Sequence, residues 1–504
     1  MNMKKLIAGI LIIVMFCSIG GISAFAVTDF TQQKEYSCGE FKYRVLDDGT
    51  AAITGLSSKD GMHISYLKDI EIPATVDEYP VTVIAEDAFF DNDYIHSVVI
   101  PDGVVRIEEY AFMHCGTIKS VKLPDTLRVI ERGAFLWCGY LEEINFPKGL
   151  LVIEESAFKS CKKIKKLNVP DTVVEIGDHA FAHTGIIGSE FSLPDNLQKL
   201  GEHILDRANC DTKYSDIWYD GAIYVNNYLI SVDEKTKGEF VVRDDTKLIA
   251  DGAFRDCKEL TKIVIPEGIT DLGHSTFYGC ELLTDVILPD TLNEIGKSFF
   301  WGCTSLEEIK LPSGITELDS SAFNSCINLK KITLPESLKV IDPWAFKNCT
   351  SLTSVVIPEG VETISLHAFL DCDNLKTITI PDTVTSIDEC ALGYYTVESG
   401  FDFDFKIEYF PYEDVVIRGY ADSFAQKYAN SNDLRFEELL RETVLGDVDA
   451  DSEITIKDAT LVQKYVACIT SLYNSQKNYA DVESDGVVNI KDATSIQKMI
   501  AGIE

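Results

Sequence analysis

The residues best arranged for chemistry are acidic, and they come twice. Asp447, Asp449, Asp451, Glu453 and Asp458 fall at positions 1, 3, 5, 7 and 12 of one segment. Asp481, Glu483, Asp485, Val487 and Asp492 repeat them 34 residues later. Carboxylates at 1, 3, 5 and 12, with a backbone carbonyl at 7, are the oxygen set that wraps Ca²⁺, a hard cation taking six to eight such ligands. Two ions are therefore expected, with Glu453 and Val487 serving through their carbonyls. Both loops end in Asp, where the usual calcium hand has Glu. Ser452 stands at position 6, where Gly486 relieves the sharp turn of the second loop, and is expected to strain the first loop. Glu483 is one methylene longer than Asp, so the second site is expected to be the weaker. Each loop runs into a segment with apolar residues at helical spacing. These are Val462, Tyr465, Val466 and Ile469, then Ile496, Met499, Ile500 and Ile503, which helical periodicity assigns to the buried face.

Other reactive side chains do not assemble into a catalytic pattern. His179 and His183 are four apart but flank an Ala-Phe pair and lack the intervening Glu of a helical zinc motif. No G-x-S-x-G, H-E-x-x-H or phosphate-cradling glycine loop occurs. The acidic pairs Glu142-Glu143 and Glu307-Glu308 recur with the period described next, so they read as a solvated face rather than an acid–base pair. Cys115, Cys138, Cys161, Cys257, Cys280, Cys303, Cys326, Cys349 and Cys372 also share one repeat position. Stacked at a strand spacing of ~4.8 Å, their Cβ vectors run parallel instead of converging as a disulfide needs. Reduced, buried thiols are expected.

The elements that carry these residues are set by a repeat. An Ala-Phe pair or a close relative returns every 23 residues, from Ala88-Phe89 to Ala180-Phe181 and from Ala253-Phe254 to Ala391-Leu392. A proline keeps the same beat from Pro101 to Pro170 and from Pro266 to Pro381. In the unit Leu306-Glu-Glu-Ile309-Lys-Leu311-Pro312, alternation marks a short strand with one buried face. Pro312 has no N–H to donate and stops it. Ile315 and Leu318 return inward, and Phe323 fills the corner. One unit cannot bury its own apolar face, so units stack into a solenoid with a continuous core. The beat fails between Leu205 and Ile249, where Tyr219–Tyr224 and Tyr228–Ile230 suggest an inserted strand pair joining two stacks.

The L-x-x-I-x-L-P spacing with its Ala-Phe corner and trailing Cys resembles the BspA-like class of bacterial leucine-rich repeats. The tandem acidic loops, ending in Asp and lacking a first helix, resemble a type I dockerin. The expected fold is a mostly β leucine-rich-repeat solenoid of 23-residue coils with capping segments, followed by a small all-α calcium-binding dockerin. The second resemblance implies a cohesin domain of a scaffolding protein as partner. By position it also implies contact through Ile456, Lys457, Gln463 and Lys464 in the first half, and Ile490, Lys491, Gln497 and Lys498 in the second. Near-identity of the halves implies that either could engage the cohesin.

Lys4 and Lys5, the apolar run Leu6–Ile22 and the small residues Ala24 and Ala26 read as a secretory signal with its cleavage site. A net charge of −36 excludes a phosphate-backbone or anionic-membrane binder. The expected map is 1–26 signal peptide, 27–83 N-terminal β cap, 84–204 first stack, 205–249 insertion, 250–396 second stack, 397–442 C-terminal cap and 443–504 dockerin. The whole reads as a secreted, non-catalytic interaction protein in a cellulosome-like complex, with an unidentified protein or cell-surface ligand for its repeats. A polysaccharide-degrading component and a bacterial adhesin are the alternatives. The strand face read as concave carries no aromatic row for stacking on sugars.

Overall fold

The computed structural model describes residues 34–57, 67–186, 190–206, 208, 217–399, 406–439, 445–448, 454–468, 470, 472, 477 and 479–503. The signal segment, with Ala24 and Ala26, lies outside them.

Each coil contributes two short parallel strands. Strand Glu308–Lys310 pairs with Lys331–Thr333, and Glu317–Leu318 pairs with Val340–Ile341. Ile309, Ile315 and Leu318 are buried inside the coil, while Glu308 and Lys310 alternate outward. The corner Ser321-Ala322-Phe323-Asn324-Ser325 closes the turn. Ser321 and Ser325 both take φ 61°, and this left-handed pair swings the chain around the buried phenylalanine. Bulky residues accept the same conformation, as Trp137 (φ 66°) and Trp344 (φ 59°) do. Such backbone costs about 1–3 kcal/mol per residue, and it persists because the stack on either side dictates it.

The corner phenylalanines form a ladder. Phe112 and Phe135 stack at 5.1 Å with planes 2° apart, and Phe323 and Phe346 at 5.3 Å and 4°. Each buried ring is worth about 1.5–3 kcal/mol by area alone. The cysteines run beside them, each thiol except that of Cys257 donating to the phenylalanine carbonyl one coil back, while Cys257 faces the Asp233 carbonyl at 3.6 Å. Cys138 reaches Phe112 and Cys326 reaches Phe300, both at 3.1 Å. Burial pushes these thiols up, Cys115 to about 12, which keeps them neutral donors. All the described cysteines are free.

Both ends of the solenoid are closed. At the start, Glu35–Cys38, Phe41–Val45 and Ala51–Leu56 form an antiparallel meander whose last strand turns to parallel pairing with Tyr79–Ile84. At the far end, Val416–Gly419 and Arg435–Glu438 extend one sheet beyond Thr377–Thr379. Helix α1 (Phe424–Ser431), N-capped by Ser423, covers that end with Ala425, Tyr428 and Ala429. A hairpin not foreseen from the sequence, Tyr394–Ser399 with Lys406–Pro411, exposes every residue of its second strand.

The interrupted region holds the expected strand pair, Ala222–Val225 against Tyr228–Val232. Its side chains alternate between two cores. Ile223, Val225, Tyr228 and Ile230 pack into the first stack, and Ala222, Tyr224, Leu229 and Val232 into the second. Buried on both faces, the hairpin is a partition. One backbone hydrogen bond nevertheless bridges the two stacks past it, Asp251 N–H donating to Leu200 O at 2.9 Å, although the sheet of the first stack itself ends at Lys199–Leu200.

Candidate metal centre and docking face

Two further helices, α2 (Ile456–Val466) and α3 (Ile490–Ala501), follow the acidic loops. Each opens with a capping box. Thr455 and Asn489 are the N-caps, and the aspartates at loop position 12, Asp458 and Asp492, reach back to the cap N–H at 2.8 Å in both halves. Such a box satisfies two amide donors that a helix start otherwise leaves open. The second oxygen of each aspartate pulls in the start of its own loop. Asp458 Oδ1 accepts from Val448 N–H at 2.7 Å, and Asp492 Oδ1 accepts from Glu483 N–H at 3.1 Å. Both carboxylates are fully buried.

The second loop is described throughout. Asp481 accepts from the N–H groups of Asp485 (3.0 Å) and Gly486 (2.7 Å), and Asp485 accepts from Val487 N–H (2.9 Å). Gly486 sits at φ +84°, a conformation that a side chain would strain. Glu483 is held by the Ser495 hydroxyl, and Asn489 Nδ2 donates to the Val487 carbonyl at 2.9 Å. In the first loop Asp447 is buried, while Asp449, Asp451 and Glu453 lie outside the described residues.

This donor set fits a hard cation. The described side chains are carboxylates, each oxygen of Asp481 and Asp492 has a lone pair beyond the single N–H bond given above, and the position-7 carbonyl accepts one hydrogen bond of its possible two. Asp447, Asp458, Asp481, Glu483, Asp485, Asp492 and the Val487 carbonyl would hold it, with the three residues outside the described set completing the first loop.

The helices pack on each other through small side chains. Ala459 and Val462 meet Ala493 and Ile496 in a core shared with Val448, Leu472 and Ala480. This corrects the apolar face read from periodicity. Val466, Met499, Ile500 and Ile503 are 39–60% exposed, and Tyr465 is half-buried, while Ile469 lies outside the described residues. The reason is the phase of the helix. Asp458 and Asp492 must face their loops, so the buried stripe runs from them through Ala459/Val462 and Ala493/Ile496, and leaves Met499 and Ile500 on another side. That inward aspartate was the signal in the sequence that could have set the phase.

The residues carried over by resemblance are all at the surface. Ile456 and Ile490 are 59% and 54% exposed, and Lys457, Gln463, Lys464, Lys491, Gln497 and Lys498 are exposed as well. The exposed apolar residues Val466, Met499 and Ile500 add to this polar set.

Elsewhere, among the described residues, the structure gathers one acidic trio. Ligand atoms of Glu317, Asp319 and Asp342 lie within 4.8 Å of one another. Burial and the hydrogen bond with Asp342 raise Glu317 to about 7, so this group is explained by proton sharing. His179 stacks on His203 at 5.5 Å, and its half-buried ring has a lowered proton affinity, burial being the main cause. Among the described residues no helix is long and apolar enough to cross a membrane.

A family profile for the BspA type leucine rich repeat region matches residues 82–211, 234–350 and 271–398, in six copies, together more than half of the chain. The dockerin type I domain matches residues 445–501. Among solved structures, a leucine rich cell surface protein from Faecalibacterium prausnitzii is 26% identical over 69% of this chain and 94% of its own, at a TM-score of 0.34. A leucine-rich repeat protein from Bacteroides ovatus is 24% identical over 80% of this chain and 100% of its own, at 0.34. Another from Eubacterium ventriosum is 22% identical over 71% and 94%, at 0.39. No curated protein matches the chain.

Proposed function

This chain belongs to the BspA-type leucine-rich repeat family and carries a type I dockerin domain, and we propose that it is a secreted, non-catalytic component of a cellulosome-like assembly. Its dockerin docks to a cohesin on a scaffolding protein, and its solenoid presents a face to a protein or cell-surface ligand. The observation that carries this is the matched construction of the two helices. Each buries an aspartate, an alanine and one β-branched residue, and each leaves Ile, Lys, Gln and Lys at equivalent exposed positions.

Calcium, when bound, would neutralise the clustered carboxylates and fix each loop to its helix. The chain's own residues then set the docking face. Asp458 and Asp492 hold the loop backbone to the helix start, which fixes where Ile456 and Ile490 project. Lys457, Lys464, Lys491 and Lys498 supply cationic groups to a partner surface, where charge steers the encounter and apolar contact holds it. Because both halves present the same set, either can engage the cohesin in orientations related by about half a turn.

Binding of the full chain to a panel of cohesins, with calcium and with EDTA, tests this. Lys457→Ala/Lys464→Ala and Lys491→Ala/Lys498→Ala should each retain binding, and the quadruple variant should lose it. Loss with either pair alone would leave one docking mode. Full binding in EDTA, or none to any cohesin, would refute the reading.

A further inference from the structure

One acidic side chain of the second loop is bonded outside the loop. Asp481 accepts from the N–H groups of Asp485 and Gly486, Asp485 from Val487, and Asp492 from Glu483 and Asn489. These three carboxylates therefore bond within positions 1 to 12. The Glu483 carboxylate does not. Its Oε1 accepts from the Ser495 hydroxyl at 2.5 Å, three residues past the end of the loop and inside α3. Such a length is that of a charge-assisted O–H···O⁻ bond, roughly twice as strong as a neutral one.

The first half cannot make this bond. Leu461 occupies the place of Ser495, 34 residues earlier, and the acid at position 3 is Asp449, one methylene shorter than Glu483. Leu461 has no polar atom to offer, and packs against the core that α2 and α3 share. The two differences go together. The longer acid, which reaches the helix, meets a hydroxyl there, and the shorter acid is paired with an apolar side chain.

Given the calcium sites proposed above, we propose that Ser495 is a positioning residue that holds Glu483 away from the second site, so that the first site fills before it. Position 3 supplies one of the oxygen ligands of such a loop, and Glu483 takes up that role by giving up the Ser495 hydroxyl. The exchange weakens the second loop by what the bond is worth, about threefold to tenfold. A weakness due only to the length of Glu483 would persist whatever residue stood at 495. The exchange also alters the helix surface. Ser495 lies one turn from both Lys491 and Lys498, so loading the loop takes a carboxylate away from the lysines offered to the partner.

Calorimetric titration of the calcium-stripped full chain with calcium should give two steps. Asp485→Ala should abolish the weaker step, which assigns it to the second loop. Ser495→Ala should tighten that step by about threefold to tenfold and leave the tighter step in place, a split that a general change in helix stability would not produce. Ser495→Leu, which copies the first half, should do the same and decides the question if the alanine variant folds poorly. Ser495→Thr keeps the hydroxyl and should titrate like the unmodified chain. In a Glu483→Asp background, where the shorter acid no longer reaches the helix, Ser495→Ala should have no further effect. Two equal steps, loss of the tighter step in Asp485→Ala, or a weaker step unmoved by Ser495→Ala and Ser495→Leu would overturn the proposal while leaving calcium binding intact. No uptake at all would overturn the calcium sites and the proposal with them.

Discussion

Replacing Asp251 with Asn should relieve a pH-dependent weakness where the two stacks meet. Asp251 is 8% exposed, and its Oδ1 accepts from His274 N–H at 3.0 Å. Burial is the main cause that raises its proton affinity, followed by the nearby carboxylates of Asp178 and Asp271; Lys199 and the His274 bond oppose them. The outcome is a rise from the ordinary 3.8 to about 7. Between those values the folded chain keeps a proton that the unfolded chain has released. The associated stability is therefore fully present below about pH 4 and is lost as pH climbs through 7. Roughly three pH units at ~1.36 kcal/mol each set an upper bound of about 4 kcal/mol at pH 8, and relaxation around the charge reduces this to about 1–3 kcal/mol. Asn keeps the Oδ1 acceptor and cannot ionise. Thermal melts of wild type and Asp251→Asn at pH 4 and pH 8 should show the variant higher by roughly 2–10 °C at pH 8, with little difference at pH 4. A variant destabilised equally at both values, or an unchanged pH dependence, would refute the reasoning.

Other outcomes follow from the same geometry. Gly273→Ala should destabilise at both pH values in the same melts, because the added Cβ would lie 1.4 Å from Asp251 Oδ1. Phe323→Ala, in the middle of the ring ladder, should cost about 3–5 kcal/mol in denaturant titration, as an unrelaxed core cavity does. In native protein a thiol reagent should label exposed Cys468 quickly, and should reach the buried ladder from Cys257 to Cys372 only on unfolding. Glu483→Asp should tighten the second calcium site in a metal titration, since the shorter carboxylate would be released from Ser495.

The solenoid was legible because its physics repeats. An Ala-Phe corner, a strand-ending proline and inward Ile and Leu at fixed spacing admit few other foldings, and the strand pair near Tyr224 and Tyr228 was visible as two short apolar runs where the beat fails. The partition was not, since Ala222–Val232 is apolar at successive positions and letters alone do not say that the two faces serve different cores. Which carbonyl Val232 reaches, that of Ala253, is likewise a backbone matter that side-chain patterns do not encode. In the C-terminal helices, both candidate stripes carry branched apolar residues. Only the inward Asp458 and Asp492 choose between them, and that choice moved Met499 and Ile500 to the surface. The exposed hairpin at Tyr394–Pro411 has no periodic apolar face, so it left no mark in the repeat pattern.

The most direct test of the central claim is calorimetric titration of the full chain with calcium, followed by cohesin binding with and without EDTA. The account expects uptake of two ions and cohesin binding that EDTA abolishes. An absence of calcium uptake, or cohesin binding indifferent to EDTA, would contradict it.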